Sequence, residues 1–599
     1  MKYAFFVRIA ATFLMVLAAR AQKLKPVSPA PSNQTVQFEV FLPLENSDQL
    51  DQLISNLNTS GSANYHQWLT APQFRAQFGA NQQNMTQVSK ALAAFGLTAT
   101  ATHTNGLQFQ GTVAAVQKAF GAQLWNAKTA SGAQKIIATQ ALKLPPALAQ
   151  AGAQVVAFSP VVWQHVHSGK LGAQPLNRFT PTGPYFFDDL KQAYDFPSVQ
   201  KLNGKGSTIG IVMASDVLDS DLALYFGFEH VTPPKLVRVP IDGGAPFDVN
   251  NPASFEASLD VQQAGGMALG ATIMLYNIPD LSNQSVFDAY QAIVETNAVD
   301  IVSNSFGGPE GVFTAAYNDG TDFTGILRTF DDLIRQGNAE GITFVASTGD
   351  NGGLELPSLS YFLGEPGATW LPGIEWPASL PHVTAVGGTN LVTSSISGSL
   401  QSSYVAENAF GDPLLPYDPF GVGNTVSGGY WGSGGGPSVV FTKPLYQFLV
   451  NTGSSMRSVP DISLQMGGCP AIAAKCGSDF TPPFPESDVV TAFGGNFFGA
   501  IGTSVSVQDF AGLLALERQN LGTRLGNVNF LIYGLAALQN FFSPLPDYHQ
   551  NIPGFNGLFS SSPGGGYNMV VGNGTPFGKN FILAPFVPAA GNPQTPSNP

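Results

Sequence analysis

The sequence predicts an α/β fold in which helices cover both faces of a parallel sheet, and three observations support this prediction. From about residue 185 to residue 585, short β-rich apolar runs alternate with segments that carry apolar residues at helical spacing. Such alternation is typical of consecutive βαβ units. The 66 glycines and 44 prolines favour a loop-rich fold over a helical bundle. At 599 residues, the chain is also long enough for a separate N-terminal domain.

The N-terminal region, residues 36–162, is expected to be a smaller α/β module. Residues 37–42 largely alternate polar and apolar side chains, as a half-buried strand does. The elements expected after this strand are two helices, a second strand and a third helix, over 50–57, 87–94, 107–111 and 113–120.

The C-terminal region is expected to supply the parallel sheet. Residues 207–212 form a short apolar run typical of a buried strand, and residues 255–268 show the spacing of a helix. The remaining elements expected here are strands over 271–276, 300–303 and 342–346 and a helix over 323–335.

The first 21 residues resemble an export signal. Lys2 and Arg8 form a basic start, residues 9–18 are almost entirely apolar, and Ala19-Arg20-Ala21 has the small-x-small pattern of a cleavage site. A short membrane anchor is the alternative, but the apolar stretch is too short to span a bilayer. We therefore expect a secreted or periplasmic protein whose mature form makes no membrane contact. We also expect a monomer.

The charge balance excludes two classes of partner. Lys and Arg total 26 against 39 Asp and Glu, which gives a formal net charge of -13. Nucleic acids and anionic membranes both reward clustered basic residues. Neither is expected to bind this chain.

A segment rich in Gly and Pro separates the two regions. Residues 168–184 contain basic residues but no acidic ones, and we expect an exposed linker that is cleaved. The alternative is an ordinary loop between two permanent domains. The expected domains are therefore 22–167 and 185–585, followed by a disordered tail over 586–599 that is rich in Pro, Asn and Gln.

Cys469 and Cys476 are the only cysteines of the chain. In an exported protein, two cysteines this close favour a small disulfide-closed loop. A zinc site is not expected, because no histidine lies near them in the sequence.

Ser504 is the strongest local signal for catalysis. In the run Gly502-Thr503-Ser504, a glycine turn would present the Ser504 hydroxyl at the start of an apolar helix. Unpaired backbone N–H groups at a helix N-terminus favour a nucleophile there. The same run could make an ordinary helix cap, since Ser and Thr are preferred at that position.

Glu256 and Asp260 are the base that we favour for this serine. Four residues apart on a helix, they would lie on one face, where two unbalanced carboxylates repel one another and raise at least one pKa. A solvated acidic face would have the same spacing, but the apolar neighbours of the pair indicate a buried helix. The histidines of this region are His230, His382 and His549. None lies in a Gly-rich context or beside a periodic acidic partner, so the sequence gives little support for a Ser–His–Asp triad.

Asp350 is a third carboxylate that could take part. It follows the strand predicted over 342–346, in the run Ser-Thr-Gly-Asp. Functional residues cluster at the carboxyl ends of parallel strands. An aspartate in an ordinary turn is the alternative.

Taken together, these segments resemble the sedolisin family, subtilisin-fold peptidases in which carboxylates replace the catalytic histidine. Glu256-x-x-x-Asp260 resembles the carboxylate pair of the family, Asp350 its oxyanion aspartate, and Gly502-Thr503-Ser504 its nucleophile motif. The resemblance covers most of the chain. It implies a subtilisin-like parallel sheet preceded by a ferredoxin-like activation prodomain. Supporting matches lie at 65–70, 119–121, 303–307, 377–389 and 457–461.

The resemblance implies an acid-acting serine-carboxyl endopeptidase made as a self-activating proenzyme. Ser504 would attack the peptide carbonyl, Glu256 would take its proton and return it to the leaving amine, and Asp260 would hold Glu256. Asp350, in its acid form, would donate a hydrogen bond to the oxyanion.

Two partners of the cleft are implied as well. Ser305, Phe306 and Gly307 would form an edge that pairs with an extended peptide substrate through the main chain. The prodomain would act as an inhibitor that covers the cleft until it is removed.

Two positions depart from the family pattern. Gln508 stands where the family usually has a proline, which could alter the turn but removes no catalytic group. A C-terminal segment resembles the calcium site of the family, but Gln550 and Asn568 replace aspartates. Because calcium affinity rises with ligand charge, we expect calcium binding to be weak or absent. The degenerate ligand set is Gln550, Asn551, Gly564, Gly566 and Asn568.

Two alternatives remain beside the peptidase interpretation. One is a catalytically silent exported protein that binds peptides on the same fold. The other is a conventional serine hydrolase with a histidine base. The three carboxylates and the serine that the peptidase mechanism needs are all present, which favours the peptidase.

Overall fold

The computed structural model describes residues 22–128, 134–159, 161–162, 164–173, 181–198, 201–318, 320–395, 401–470, 472–474, 486–542 and 547–582. The expected export signal, the expected C-terminal tail and Cys476 lie outside these residues. Cys469 is disulfide-bonded.

The N-terminal module is built on a four-stranded antiparallel sheet. Its strands follow the order Thr98–Thr102, Gly106–Thr112, Thr35–Phe41 and Gln154–Val155 across the sheet. This order and the βαββαβ succession along the chain are those of a ferredoxin-like fold, as expected. The helices of the module are Ser47–Asn58, Ala71–Phe78, Gln82–Ala93, Val113–Phe120 and Pro146–Gln150, and a second sheet consists of Pro26–Pro29, Leu124–Lys128 and Gln134–Ala138.

The larger domain is built on a mostly parallel sheet, which confirms the predicted fold class. The strands predicted from apolar runs all lie in this sheet, and most of their residues are buried. The parallel strands, in order across the sheet, are Lys235–Pro240, Thr272–Asn277, Thr208–Met213, Ile301–Asn304, Thr343–Ser347, Thr384–Ser395 and Ile462–Gln465. Ser402–Phe410 pairs antiparallel with Thr384–Ser395 and is followed by Gly554–Phe555 and Ser560–Ser561.

Helices flank this sheet, and two of them carry the predicted catalytic residues. We call Pro252–Met267 the carboxylate helix and Thr503–Leu521 the serine helix. They pack so closely that a Cβ atom at Gly512 would lie 2.2 Å from Met267 Cβ. Glycine at this contact therefore lets the two helices meet. The other helices of the domain are Phe187–Ala193, Asp219–Phe228, Asn283–Thr296, Thr324–Ala339, Leu359–Leu363, Asn529–Phe542 and Gly578–Ile582.

Short elements complete the described structure. The 3₁₀ helices are Glu310–Phe313, Ala315–Tyr317 and Leu445–Leu449. The remaining strands are Gln22–Lys23, Val161–Val162, His165–Val166, Gly169–Ala173, Phe306–Pro309, Leu356–Pro357, Trp370–Leu371, Glu375–Trp376, Asp412–Pro413, Tyr430–Trp431, Gly436–Thr442, Met456–Val459, Val489–Phe493, Asn496–Ile501, Tyr548–His549 and Thr575–Pro576. Within the described residues, no helix is both long enough and apolar enough to cross a bilayer.

The segment expected to be an exposed linker is not exposed in its first part. His165–Val166 pairs with Phe306–Pro309, and Gly169–Ala173 pairs with Asn496–Ile501, both antiparallel. Residues 168–172 are half-buried as a result. The expectation was wrong here because the unpaired backbone of this segment finds edges on the larger domain. Residues 174–180 lie outside the described part.

Candidate active site

Ser504 is the second residue of the serine helix, at its buried N-terminus, and Gly502 immediately precedes the helix. The backbone of Gly502 has φ 124°, and a Cβ atom there would lie 2.2 Å from the His167 carbonyl oxygen and 2.7 Å from Asp350 Oδ2. Only glycine leaves room for these two oxygens at the helix start. The Ser504 N–H, one of the unpaired donors of the first turn, donates to the His167 carbonyl at 3.1 Å.

Glu256 and Asp260 are fully buried on the carboxylate helix. Ser168 Oγ donates to Glu256 Oε2 at 2.5 Å, and Ser305 Oγ donates to Asp260 Oδ1 at 2.8 Å. Burial and the nearby Asp260 charge raise the pKa of Glu256 well above its usual range, and burial raises the pKa of Asp260 as well. The pair therefore retains at least one proton at neutral pH. Hydrogen bonding from the Ser504 hydroxyl acts in the opposite direction, lowering the pKa of Glu256.

Gln508 joins this network, which sequence reasoning missed. Its Nε2 donates to Ser305 Oγ at 2.9 Å, so Ser305 links Gln508 to Asp260. The serine helix runs through Gln508 without a break. The spacing of four residues from Ser504 was the available signal, because it places both side chains on one helix face.

Asp350 follows the strand Thr343–Ser347 and faces the start of the serine helix. Its Oδ1 accepts hydrogen bonds from the Thr503 N–H at 2.8 Å and from Thr503 Oγ1 at 2.9 Å. Burial raises the pKa of Asp350 to about 7, although the nearby His167 charge and the Thr503 hydrogen bonds favour ionisation. Asp350 can therefore hold a proton in acid, close to the His167 carbonyl.

Residues 164–173 cross the site as an extended peptide. The His167 N–H donates to the Ser305 carbonyl at 3.0 Å, and His165 and Val166 pair with Gly307 and Phe306. Ser504 Oγ lies 3.4 Å from the Ser305 carbonyl. The His167–Ser168 peptide bond thus lies at the nucleophile, with chain bound on both sides of it.

The imidazole of His167 contacts groups that the sequence did not indicate. Its Nε2 lies 2.5 Å from Glu375 Oε2, and its Nδ1 lies 2.6 Å from Ser347 Oγ. Glu375 is 208 residues from His167, and no local pattern links the two.

The histidines considered as alternative bases have other contacts. His382 Nδ1 lies 3.0 Å from Asp331 Oδ2, His549 stacks between the rings of Tyr404 and Phe577, and His230 is exposed. None of these contacts includes Ser504.

The degenerate calcium set fits the ion poorly. Asn568 Oδ1 already accepts the N–H groups of Val570 and Val571, both at 3.0 Å, and Gln550 donates its amide to the Asn573 carbonyl. Asn551 and Gly564 are exposed. A hard cation prefers several carboxylate oxygens, and this set contains none.

Removal of calcium is expected to leave the protein unchanged, because the loop closes through its own hydrogen bonds. The test is the Tm and the proteolytic rate after dialysis against EDTA, beside a sample dialysed against calcium. A Tm several degrees lower after EDTA would show a loaded site and contradict this prediction.

The sequence of this chain is similar to a known family model and to known peptidases. Residues 22–159 match the family model described as the Pro-kumamolisin activation domain. Kumamolisin from Bacillus sp. (strain MN-32) is 27% identical, over 97% of both chains. Sedolisin from Pseudomonas sp. (strain 101) is 26% identical, over 75% of this chain and 73% of its own.

Among the solved structures that resemble this chain, we compare one that shares the fold. It is Pseudomonas sedolisin, a serine-carboxyl proteinase, complexed with two molecules of pseudo-iodotyrostatin. Its TM-score is 0.52 at 23% identity, and the match covers 67% of this chain and 98% of that one.

Proposed function

Because the chain belongs to the sedolisin family of serine-carboxyl peptidases and carries a pro-kumamolisin activation domain over residues 22–159, we propose that it is a secreted, acid-acting endopeptidase made as a self-activating proenzyme. The observation that carries the proposal is the position of the His167–Ser168 bond. Its carbonyl accepts the Ser504 N–H, while the chain continues along paired edges in both directions. A cleft that binds peptide on both sides of the nucleophile suits cleavage within a chain.

The reaction begins when Ser504 Oγ bonds to the peptide carbonyl carbon. Glu256 accepts the hydroxyl proton, and Asp260, held by Ser305 and Gln508, shares the proton of the pair. The Ser504 N–H and the acid form of Asp350 donate hydrogen bonds to the oxyanion. An ionised Asp350 would instead repel the developing charge.

The second half of the reaction frees the enzyme. The C–N bond breaks as Glu256 returns the proton to the amine, which leaves an acyl-enzyme on Ser504. Water then gives a proton to Glu256 and its oxygen to the acyl carbon, and the proton returns to Ser504 as the new carboxyl terminus departs.

The prodomain acts as the inhibitor of the cleft in this account. Residues 164–173 occupy both edges, and Ser168 Oγ holds Glu256. The substrates are peptides and unfolded proteins. The signal-like first 21 residues support export, and the excess of acidic residues supports a protein that binds neither nucleic acid nor anionic membranes. The poor donor set supports calcium binding that is weak or absent.

The test is cleavage of an unstructured protein by acid-incubated full-length chain, across a pH series and beside Ser504→Ala. Cleavage in acid that depends on Ser504 is the expected result. A wild-type protein that cleaves nothing at any pH would favour the silent peptide-binding protein, and wild-type-like activity in Ser504→Ala would exclude the mechanism.

A further inference from the structure

The side chain of His167 fills a closed pocket beside Ser504. It has no exposed surface, and Glu375 and Ser347 satisfy its two ring nitrogens at 2.5 and 2.6 Å. Because the His167 carbonyl accepts the Ser504 N–H, this pocket holds the side chain of the residue whose carbonyl is attacked.

Two glycines shape the pocket for a small ring. A Cβ atom at Gly307 would lie 2.6 Å from Glu375 Oε2 and 2.7 Å from His167 Cε1. A Cβ atom at Gly349 would lie 2.4 Å from Glu355 Oε1. Any side chain at either position would collide with the pocket floor or the bound ring.

The floor of the pocket carries one negative charge. Glu375 is buried, and its Oε1 also lies 3.4 Å from His165 Nε2. Burial opposes ionisation of Glu375, but the two imidazoles outweigh burial and lower its pKa. Burial and the Glu375 charge raise the pKa of Glu355 well above its usual range, so Glu355 is the neutral acid of the two.

We propose that this pocket selects histidine at the position immediately N-terminal to the scissile bond, with Glu375 as the specificity-determining residue and Ser347 as the partner of the second ring nitrogen. The proposal rests on the proposed peptidase function and names its preferred substrate. The preference applies to the prodomain segment and to any other peptide that enters the cleft.

Other side chains satisfy the pocket less well. Phenylalanine or leucine would offer no polar atom to Glu375 Oε2 or to Ser347 Oγ, and losing a hydrogen bond to a buried charged group is costly. Lysine would bring a positive charge but no group for Ser347, and its longer chain would have to fit a space that an imidazole fills. Histidine alone among these matches both polar partners.

The test compares quenched-fluorescent peptides that differ only at this position, with His, Phe, Leu or Lys. They are cleaved by acid-activated full-length enzyme in the presence of EDTA, because His165, His167 and Glu375 are close enough to hold a metal ion. We expect kcat/KM to be at least about 10-fold higher for the His peptide, the usual size of a charged hydrogen bond. An equal or higher value for Phe or Leu would overturn the proposal.

A substitution at Glu375 tests whether its carboxylate causes the preference for histidine. Glu375→Gln is expected to lower the ratio of the His to the Leu rate by about 10-fold or more. Glu340→Gln, which changes a buried glutamate hydrogen-bonded to Gln336, is the matched control and should leave this ratio unchanged. An unchanged ratio in Glu375→Gln would contradict the assigned role.

A second readout needs no turnover. We compare full-length Ser504→Ala protein with the same protein carrying His167→Leu as well. The added substitution should speed tryptic cleavage after Lys170, because residues 164–173 lose the side chain that anchors them in the cleft. Equal protection in both proteins would overturn the proposal. Failure of the peptidase function is distinguishable, since no peptide would then be cleaved; Ser504-dependent cleavage without a His preference would refute the pocket alone.

Discussion

Ser504→Ala is expected to lower kcat/KM on peptides by about 10⁴- to 10⁶-fold, the range seen when a catalytic serine is removed. The hydroxyl is the only group in this account that bonds to the substrate carbon. Its loss leaves the helix N-terminus and the oxyanion donors in place, so peptide binding should persist. The measurement is kcat and KM on one quenched peptide in acid.

The control for this prediction is Ser506→Ala. Ser506 is buried on the same helix, but its hydroxyl donates to the Thr503 carbonyl at 3.0 Å. Its loss should leave kcat near the wild-type value. A Ser504→Ala enzyme within about 10-fold of the wild type, far less than loss of a nucleophile costs, would refute the nucleophile assignment.

Asp350→Ala is expected to lower kcat by about 10²- to 10³-fold with little change in KM, as loss of an oxyanion donor does. Asp350→Asn should retain much more activity. The amide oxygen can still accept from Thr503, and the amide nitrogen can donate at the position of Oδ2. Full low-pH activity in Asp350→Ala would contradict the role.

The pH profile distinguishes the two variants further. Burial raises the pKa of Asp350 to about 7, and the neutral acid is the active form. That form is complete well below pH 7 and is lost as the pH rises through about 7, so the wild-type rate should fall there. Asp350→Asn cannot lose this proton, and its profile should lack that fall. The same fall in Asp350→Asn would assign it to another group.

Periodic features of the sequence predicted much of this fold. The parallel strands come from short apolar runs, and the face shared by Glu256 and Asp260 follows from helical spacing. Burial of the carboxylate helix could also be predicted, since the apolar residues Phe255, Leu259 and Val261 lie next to the two carboxylates in the sequence, and all three are buried. Gly502, two residues before Ser504, likewise indicated a turn into a helix.

Contacts between distant segments could not be predicted in this way. A Gly- and Pro-rich stretch indicates a linker, yet residues 169–173 form a strand because an edge at 496–501 is available. The partners of His167 come from two separate elements, Glu375 and Ser347, which only the folded chain brings together. Gln508 was noted as a departure, but its contact with Ser305 depends on helix packing.

The most direct test of the account is the identity of the first bond that the proenzyme cuts in itself. Full-length wild-type protein is incubated briefly in acid, and the products are identified by intact mass and N-terminal sequencing beside Ser504→Ala. The account predicts a new N-terminus at Ser168, which begins Ser-Gly-Lys, and no such product from the variant. An intact His167–Ser168 bond in wild-type protein that has matured by cuts elsewhere, or the same cut in Ser504→Ala, would contradict it.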